Sequence, residues 1–315
     1  MLSGVLGSAI VIGTEEEPGR GLLVLADGAQ GAFAAGAVAE LARQGAVWAR
    51  GAGGGLGAQI GVLALLGEAA EAERRWLRDA ELGSPSLRSR LAAFRERVGG
   101  TPGAVLMADP WTLEGWLDPD GLAEHLEPEL AGLPARLSRL GRSFAAAVED
   151  VAGGVTAWVE LTGVSPAAAG DLVRAAATFP AGWGPVVTGE DEASRRLWGG
   201  AGAALACTAP WAGAGGAWDV VCGFPVPVAR RSALGASLLE LIQRREEARG
   251  GSVVSEWLAA EGAAGLRLIA PTPATYAAWA ARENADLGVE YPLPLERNGQ
   301  LASGMVRYGA FAVAG

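Results

Sequence analysis

The sequence contains no lysine, and all 25 of its basic residues are arginine. That absence removes several chemistries outright: the lysine of a phosphate-binding P-loop, a Schiff-base lysine and a kinase-type lysine. Histidine is almost as scarce. His125 is the only one, so a zinc site built on two or three imidazoles is excluded, and His125 itself, within "LAEHLEPEL", reads as an ordinary helix residue. The two cysteines, Cys207 and Cys222, do not make a disulfide framework. They read as small buried apolar residues whose free thiols fit a reducing cytosol. No cofactor and no metal is expected. Serine is missing from one long stretch, with none between Ser8 and Ser84.

Long apolar runs are missing too. The N-terminal "MLSGVLGSAIVIGTEEE" lacks a basic start and runs into acid at Glu15, so it reads as a strand and not as a signal peptide. No apolar stretch approaches the ~20 residues of a membrane span without charge or dense glycine. A cytoplasmic protein with no integral membrane segment is expected. The net charge of −10 argues against nucleic acid, which calls for a basic footprint, and against electrostatic docking on anionic lipid. A hydrophobic lipid ligand stays open.

What is present is a large apolar fraction, half of 315 residues, which can bury a sizeable core. No composition break forces a division, and a single domain over residues 1–315 is expected. "GLLVLA" (Gly21 to Ala26) reads as a buried strand followed by a turn. "AFAAGAVAELARQG" has helical spacing, with Phe33, Val38 and Leu41 inward and Gly45 as its stop. "AVWAR" reads as a brief strand, and "LGAQIGVLALLG" as an apolar helix. Charged helices are expected from Glu68 to Val98, then a loop at "GGTPG" and short helices capped by Asp118 or Asp120. "SFAAAVED" and "VTAWVEL" form a hairpin-like pair, and Ser165 and Pro166 open a helix ending near Thr178. A strand at "AWDVVCGFPV", an amphipathic helix from Ser232 stopped by Gly250 and Gly251, a strand at "GLRLIAP" and a helix at "ATYAAWAAREN" follow. Strands alternating with helices, the strands near-continuously apolar, predict a three-layer α/β/α fold with a mainly parallel central sheet.

The most informative stretch is "RGAGGGLGAQIGVLALLG", a glycine cluster opening a helix. Two chemistries want such a turn: phosphate binding on backbone N–H groups, or a nucleophile on a strand-to-helix elbow of the form G-x-S-x-G. Read as an elbow, Gly51 to Gly55 has Gly53 in the serine position. Three segments in order resemble the patatin-like phospholipases, a family of acyl hydrolases. "LLVLADGAQGAFAAGAVAEL" is similar to their glycine-rich oxyanion loop, "RGAGGGLGAQIGVLALL" to their serine elbow. "LVRAAATFPAGWGPVVTGEDEASRRLWGGAGAALACTAPW" is similar to the region that carries their Asp-Gly motif. The resemblance covers about residues 20–67 and 171–211.

It implies a patatin-like fold and, in intact members, a serine nucleophile with an aspartate base and no histidine. Carried over, the serine falls on Gly53, between Gly51 and Gly55, and the aspartate on Trp198. The oxyanion loop becomes Ala26, Asp27, Gly28, Ala29, Gln30 and Gly31, with Gln30 where a basic residue is common. Gly53 offers no nucleophile, Trp198 cannot take a proton, and Asp27 puts negative charge near a developing oxyanion. The resemblance therefore implies a pseudoenzyme that binds an acyl or lipid ligand or a protein partner, either an active patatin-like relative or a second copy of itself. Trp183, Trp198 and Trp211 would line the old pocket, with Trp198 filling the vacated site. Asp191 lies seven residues before Trp198 and Asp219 well after it; either could approach the site in three dimensions, but both are expected to be solvated. Asp27 also reads as a helix cap or Asx-turn former, and Ser165 as a cap.

Two other readings stay open. One is an acyl ester hydrolase using different residues. The other treats Gly53 to Ala58 as G-x-G-x-x-A, a dinucleotide fingerprint, with Glu71 or Glu73 as the ribose acid; those acids fall in an acidic helix and not at the end of a second strand.

Overall fold

The computed structural model describes residues 19–27, 30–82, 130–178, 185–188, 195–212, 216–224, 250–259, 265–283 and 299–314. The expected N-terminal strand, the chain between 83 and 129 with its caps and His125, and most of the helix from Ser232 lie outside them, as do Gly28, Ala29, Trp183 and Asp191.

The described strands form one 8-stranded sheet. In chain order the elements are β1 (Gly21–Ala26), α1 (Gln30–Arg43), β2 (Arg50–Gly55), α2 (Leu56–Leu65), α3 (Ala69–Leu82) and α4 (Leu133–Arg139). Then come β3 (Ser143–Asp150), β4 (Val155–Glu160), α5 (Pro166–Ala177), β5 (Val186–Thr188), β6 (Arg195–Trp198), α6 (Gly200–Ala206) and β7 (Trp218–Cys222). A helix over 250–259, here α7, precedes β8 (Leu266–Ile269), α8 (Pro273–Glu283) and α9 (Gly299–Ala314). The sheet runs β5-β6-β3-β2-β1-β7-β8, with β4 paired to β3. Its middle is parallel, from β3 through β2, β1 and β7 to β8. The pairs β3–β4, β3–β6 and β5–β6 are antiparallel, so the expected hairpin at "SFAAAVED" and "VTAWVEL" is present.

Alternation along β1 splits the core into two layers. Leu22, Val24 and Ala26 face one apolar cluster with α1, α2, α5 and α9. Leu23 and Leu25 face the other, with α6 and Val254 of α7. Helices therefore cover both faces, as the near-continuous apolar strands predicted. In α1 the expected inner residues Phe33, Val38 and Leu41 are all fully buried. Its end is a Schellman motif: Gly45, at φ 87°, donates to Ala42 O, and Ala46 donates to Leu41 O. Ser165 caps α5 by accepting from Ala168 N at 3.3 Å, with Pro166 at the first helical position.

The strand expected at "AVWAR" is displaced. The pairing residues are Arg50–Gly55, so "RGAGGG", a sequence of poor strand propensity, is a central strand. The reason is close approach from both faces. A Cβ on Gly51 would come within 2.8 Å of Leu65 and 2.9 Å of Phe144. On Gly53 it would stand 2.6 Å from the Ala58 backbone of α2, and on Gly54 2.6 Å from Ala204 of α6. Backbone here occupies the space that side chains fill elsewhere. Gly250 and Gly251, expected to stop a helix, are themselves helical, in α7. A Cβ on Gly250 would meet Leu205 and the Phe224 ring at 3.0 Å. The C-terminal helix α9 was not anticipated. It lies on α1 with Gly36 beneath Val306 O and Gly309 beneath Phe33 O, where any Cβ would collide with carbonyl oxygen.

This packing makes a direct prediction. Gly53→Ala places a methyl group into α2 backbone and is expected to destabilise by about 1–3 kcal/mol. Gly163→Ala, where nothing lies within 4 Å, is expected to be close to neutral, and urea denaturation of the two variants beside the parent chain measures the difference.

Candidate functional site

Three segments that are distant in sequence meet at the C-terminal ends of β1 and β2. β2 passes directly into α2 at Gly55, which takes φ 67° and ψ −150°, a strained conformation that residues with a side chain rarely adopt. The sharp strand-to-helix corner is therefore at Gly55. Gly53, to which the elbow reading gave the serine position, sits two residues earlier inside β2, and Gly51 earlier still, with no room for a side chain at either. The run Gly53, Gly54, Gly55, Leu56, Gly57 keeps the G-x-S-x-G form with Gly55 at its centre. Gly57 is also required by contact, because a Cβ there would strike Val24 O.

Asp27 follows β1 and reaches over this corner. Both of its carboxylate oxygens lie 3.0 Å from the N–H of Ala201, in the first turn of α6. A Cβ on Gly55 would collide with Asp27 Oδ1 and with Ala26 O. The carboxylate thus lies against the corner and at the start of two helices, α2 and α6, where the helix dipoles favour negative charge. Sequence had offered Asp27 as a cap or turn former for its own helix. It does cap a helix, but one 174 residues away. Gln30 bonds Asp27 twice: its Oε1 accepts from Asp27 N at 3.1 Å, and its own N–H donates to Asp27 O at 3.0 Å. Gln30 is buried, and Gly31 lies against the Trp76 ring. Ala26, fully buried, ends β1 opposite Gly55.

Trp198 ends β6, paired with Glu149 of β3, and is buried. It leads through Gly199 and Gly200 into the α6 turn that Asp27 holds. Trp211 packs elsewhere, against Trp218 at 6.0 Å and edge-to-face on Trp257 at 5.8 Å.

Asp219 is not solvated. It is fully buried on β7 and in register with Leu22, at the opposite end of β1 from Asp27. That separates it from the corner by roughly 15 Å of strand. Its Oδ1 accepts from Arg20 at 2.7 Å and from Arg267 at 2.8 Å, and its Oδ2 accepts from Trp48 Nε1 at 2.8 Å. Neither cysteine offers a nucleophile at neutral pH. Both are free; burial pushes the Cys207 thiol up to about 11 and the Cys222 thiol higher still. Among the described residues no group of three or more His, Cys, Asp or Glu could hold a metal ion, and no helix is long and apolar enough to cross a membrane.

No family model matches the chain, and no curated protein matches it. Among solved structures it is similar to VipD from Legionella pneumophila, with a TM-score of 0.40 and 10% identity over 95% of this chain and 67% of that one. The chemistry of the corner is read from its own geometry.

Two measurements test this description. Asp27→Ala removes the cap on Ala201 and is expected to lower stability by about 1 kcal/mol. Asp219→Ala strands the buried Trp48 N–H and leaves two guanidiniums without their carboxylate, for a loss of about 3 kcal/mol. Chemical denaturation should rank them in that order. For the cysteines, a disulfide reagent at pH 8 should find only about one Cys207 in a thousand as thiolate. Labelling should accelerate as pH rises toward 11, and Cys222 should react only on unfolding.

Proposed function

We propose that the chain is a patatin-like protein without hydrolase activity, which acts by binding a ligand or a partner. The observation that carries the reading is the Asp27 carboxylate lying on Gly55. Acyl transfer at a strand-to-helix corner needs a nucleophile on the corner residue and N–H donors free to hold the oxyanion. Here the corner residue has no side chain, and the space above it is filled by an anion that already engages a neighbouring N–H. A negative charge in that place opposes development of another. Trp198, buried at the entrance to α6, adds no proton acceptor. Placing the family's serine position at Gly55 instead of Gly53 strengthens the reading, since Gly55 is where the strained turn lies.

The same carboxylate weighs against a dinucleotide at Gly53 to Ala58. The strand, corner and helix are in the right order for one, but a pyrophosphate at the start of α2 would meet Asp27. The ligand classes the reading leaves are an acyl or lipid chain, or a protein partner such as an active relative or a second copy.

The test is direct. Purified protein is expected to give no turnover of a p-nitrophenyl acyl ester series and no labelling by a fluorophosphonate probe. Turnover, or a labelled serine anywhere in the chain, would overturn the proposal in favour of a hydrolase using other residues. Gentle purification from the native cells followed by native mass spectrometry then separates the binding modes. A retained apolar small molecule points to an acyl ligand, and a second polypeptide to a partner.

A further inference from the structure

The end of the sheet opposite the corner carries a second arrangement that the reading above does not use. Arg20 precedes β1, and Arg267 lies on β8 directly across from Asp219 of β7. Both guanidiniums reach the same atom, Asp219 Oδ1, at 2.7 and 2.8 Å. The carboxylate is fully buried and its other oxygen is taken by Trp48 Nε1, so it cannot turn away from either arginine. The two arginines remain 36% and 43% exposed along their side chains. Each guanidinium has five N–H donors, and each spends one on Asp219. Two partly exposed cations therefore share one buried anion.

We infer that Arg20 and Arg267 form an anion site for a phosphate group, positioned by the buried Asp219. The reasons are chemical. A guanidinium is planar and presents paired donors that match the oxygens of a phosphate bidentately. Two of them converging on one point leave a positive charge in excess of the single carboxylate. That excess stands out on a chain of net charge −10, where diffuse attraction of anions is absent and any affinity must come from local geometry. Preorganisation by Asp219 means that little side-chain freedom is lost on binding. The inference is independent of what the Gly55 corner does, and its failure would leave that reading untouched.

The phosphate could be free or the headgroup of a lipid, and the experiment separates the two. Thermal unfolding of the full chain is followed with inorganic phosphate against sodium chloride at matched ionic strength. A saturable rise in Tm specific to phosphate is expected. Arg20→Gln and Arg267→Gln should each weaken it about tenfold or more, and Arg267→Lys, which keeps the charge but loses the fork, should weaken it too. Because these side chains are half-exposed, circular dichroism should show all three variants folded; if one is not, phosphorus NMR line broadening on the parent chain reads binding without it. In parallel, the protein is sedimented with phosphatidylcholine vesicles with and without phosphatidic acid. Co-sedimentation that needs phosphatidic acid and Arg267, without a response to inorganic phosphate, assigns the phosphate to a lipid headgroup; the converse assigns it to a free phosphate. No response in either arm, or a response unchanged in both glutamine variants, overturns the site.

Discussion

The middle of this protein rests on a strand that has almost no side chains. β2 is pressed by α2 on one face and α6 on the other so closely that its backbone takes the place of a side-chain layer. Each glycine gives up roughly 0.5–1 kcal/mol of conformational entropy relative to alanine. The offsetting gain is dense apolar packing on both sides, with Phe144 and Leu65 against Gly51 and Ala204 against Gly54. The same closeness brings the start of α6 beside the end of β2.

Asp27 completes that junction. A carboxylate placed at the starts of two helices is stabilised by both, and its hydrogen bond to Ala201 fastens the α6 segment to the end of β1. The same carboxylate lies where a side chain on Gly55 would stand. On the proposed reading, the atoms that fasten the junction are also those that keep a reacting group from the corner. That is why the proposal of a binding role stands on Asp27 and Gly55 more than on any missing residue taken alone.

The sheet is polar in a second sense. Its C-terminal end holds an anion among helix starts, and its N-terminal end holds a buried anion among arginines. Asp219 is satisfied by charged and indole donors, and Asp27 by backbone. Asp219 ties both arginines to the sheet while their side chains stay partly exposed. Burial has the opposite effect on Cys222, whose thiol is raised out of reach of neutral-pH chemistry by the apolar layer around it.

Much of the fold was legible because apolar runs and caps act over a few residues. The strand at Gly21 to Ala26, the hairpin of Ser143 to Glu160, the Ser165 cap and the Gly45 stop are all local patterns with local causes. Glycine was read least well. Sequence treats it as a breaker, yet Gly51 to Gly54 form a strand, Gly250 lies in a helix, and Gly36 and Gly309 mark a helix crossing. Except at Gly53, whose constraint comes from Ala58 of the next helix, the requirement is set by an atom far away in the chain. Residue types and their local order are enough to rule out lysine and multi-histidine chemistry, to alternate strands and helices into layers, and to open a helix at a glycine turn. Tertiary structure alone decided that the turn's corner is Gly55, that Asp27 lies on it, and that Asp219 is buried at the other end. Those are contacts across 174 and 199 residues, and only the packed sheet brings such residues within reach of one another.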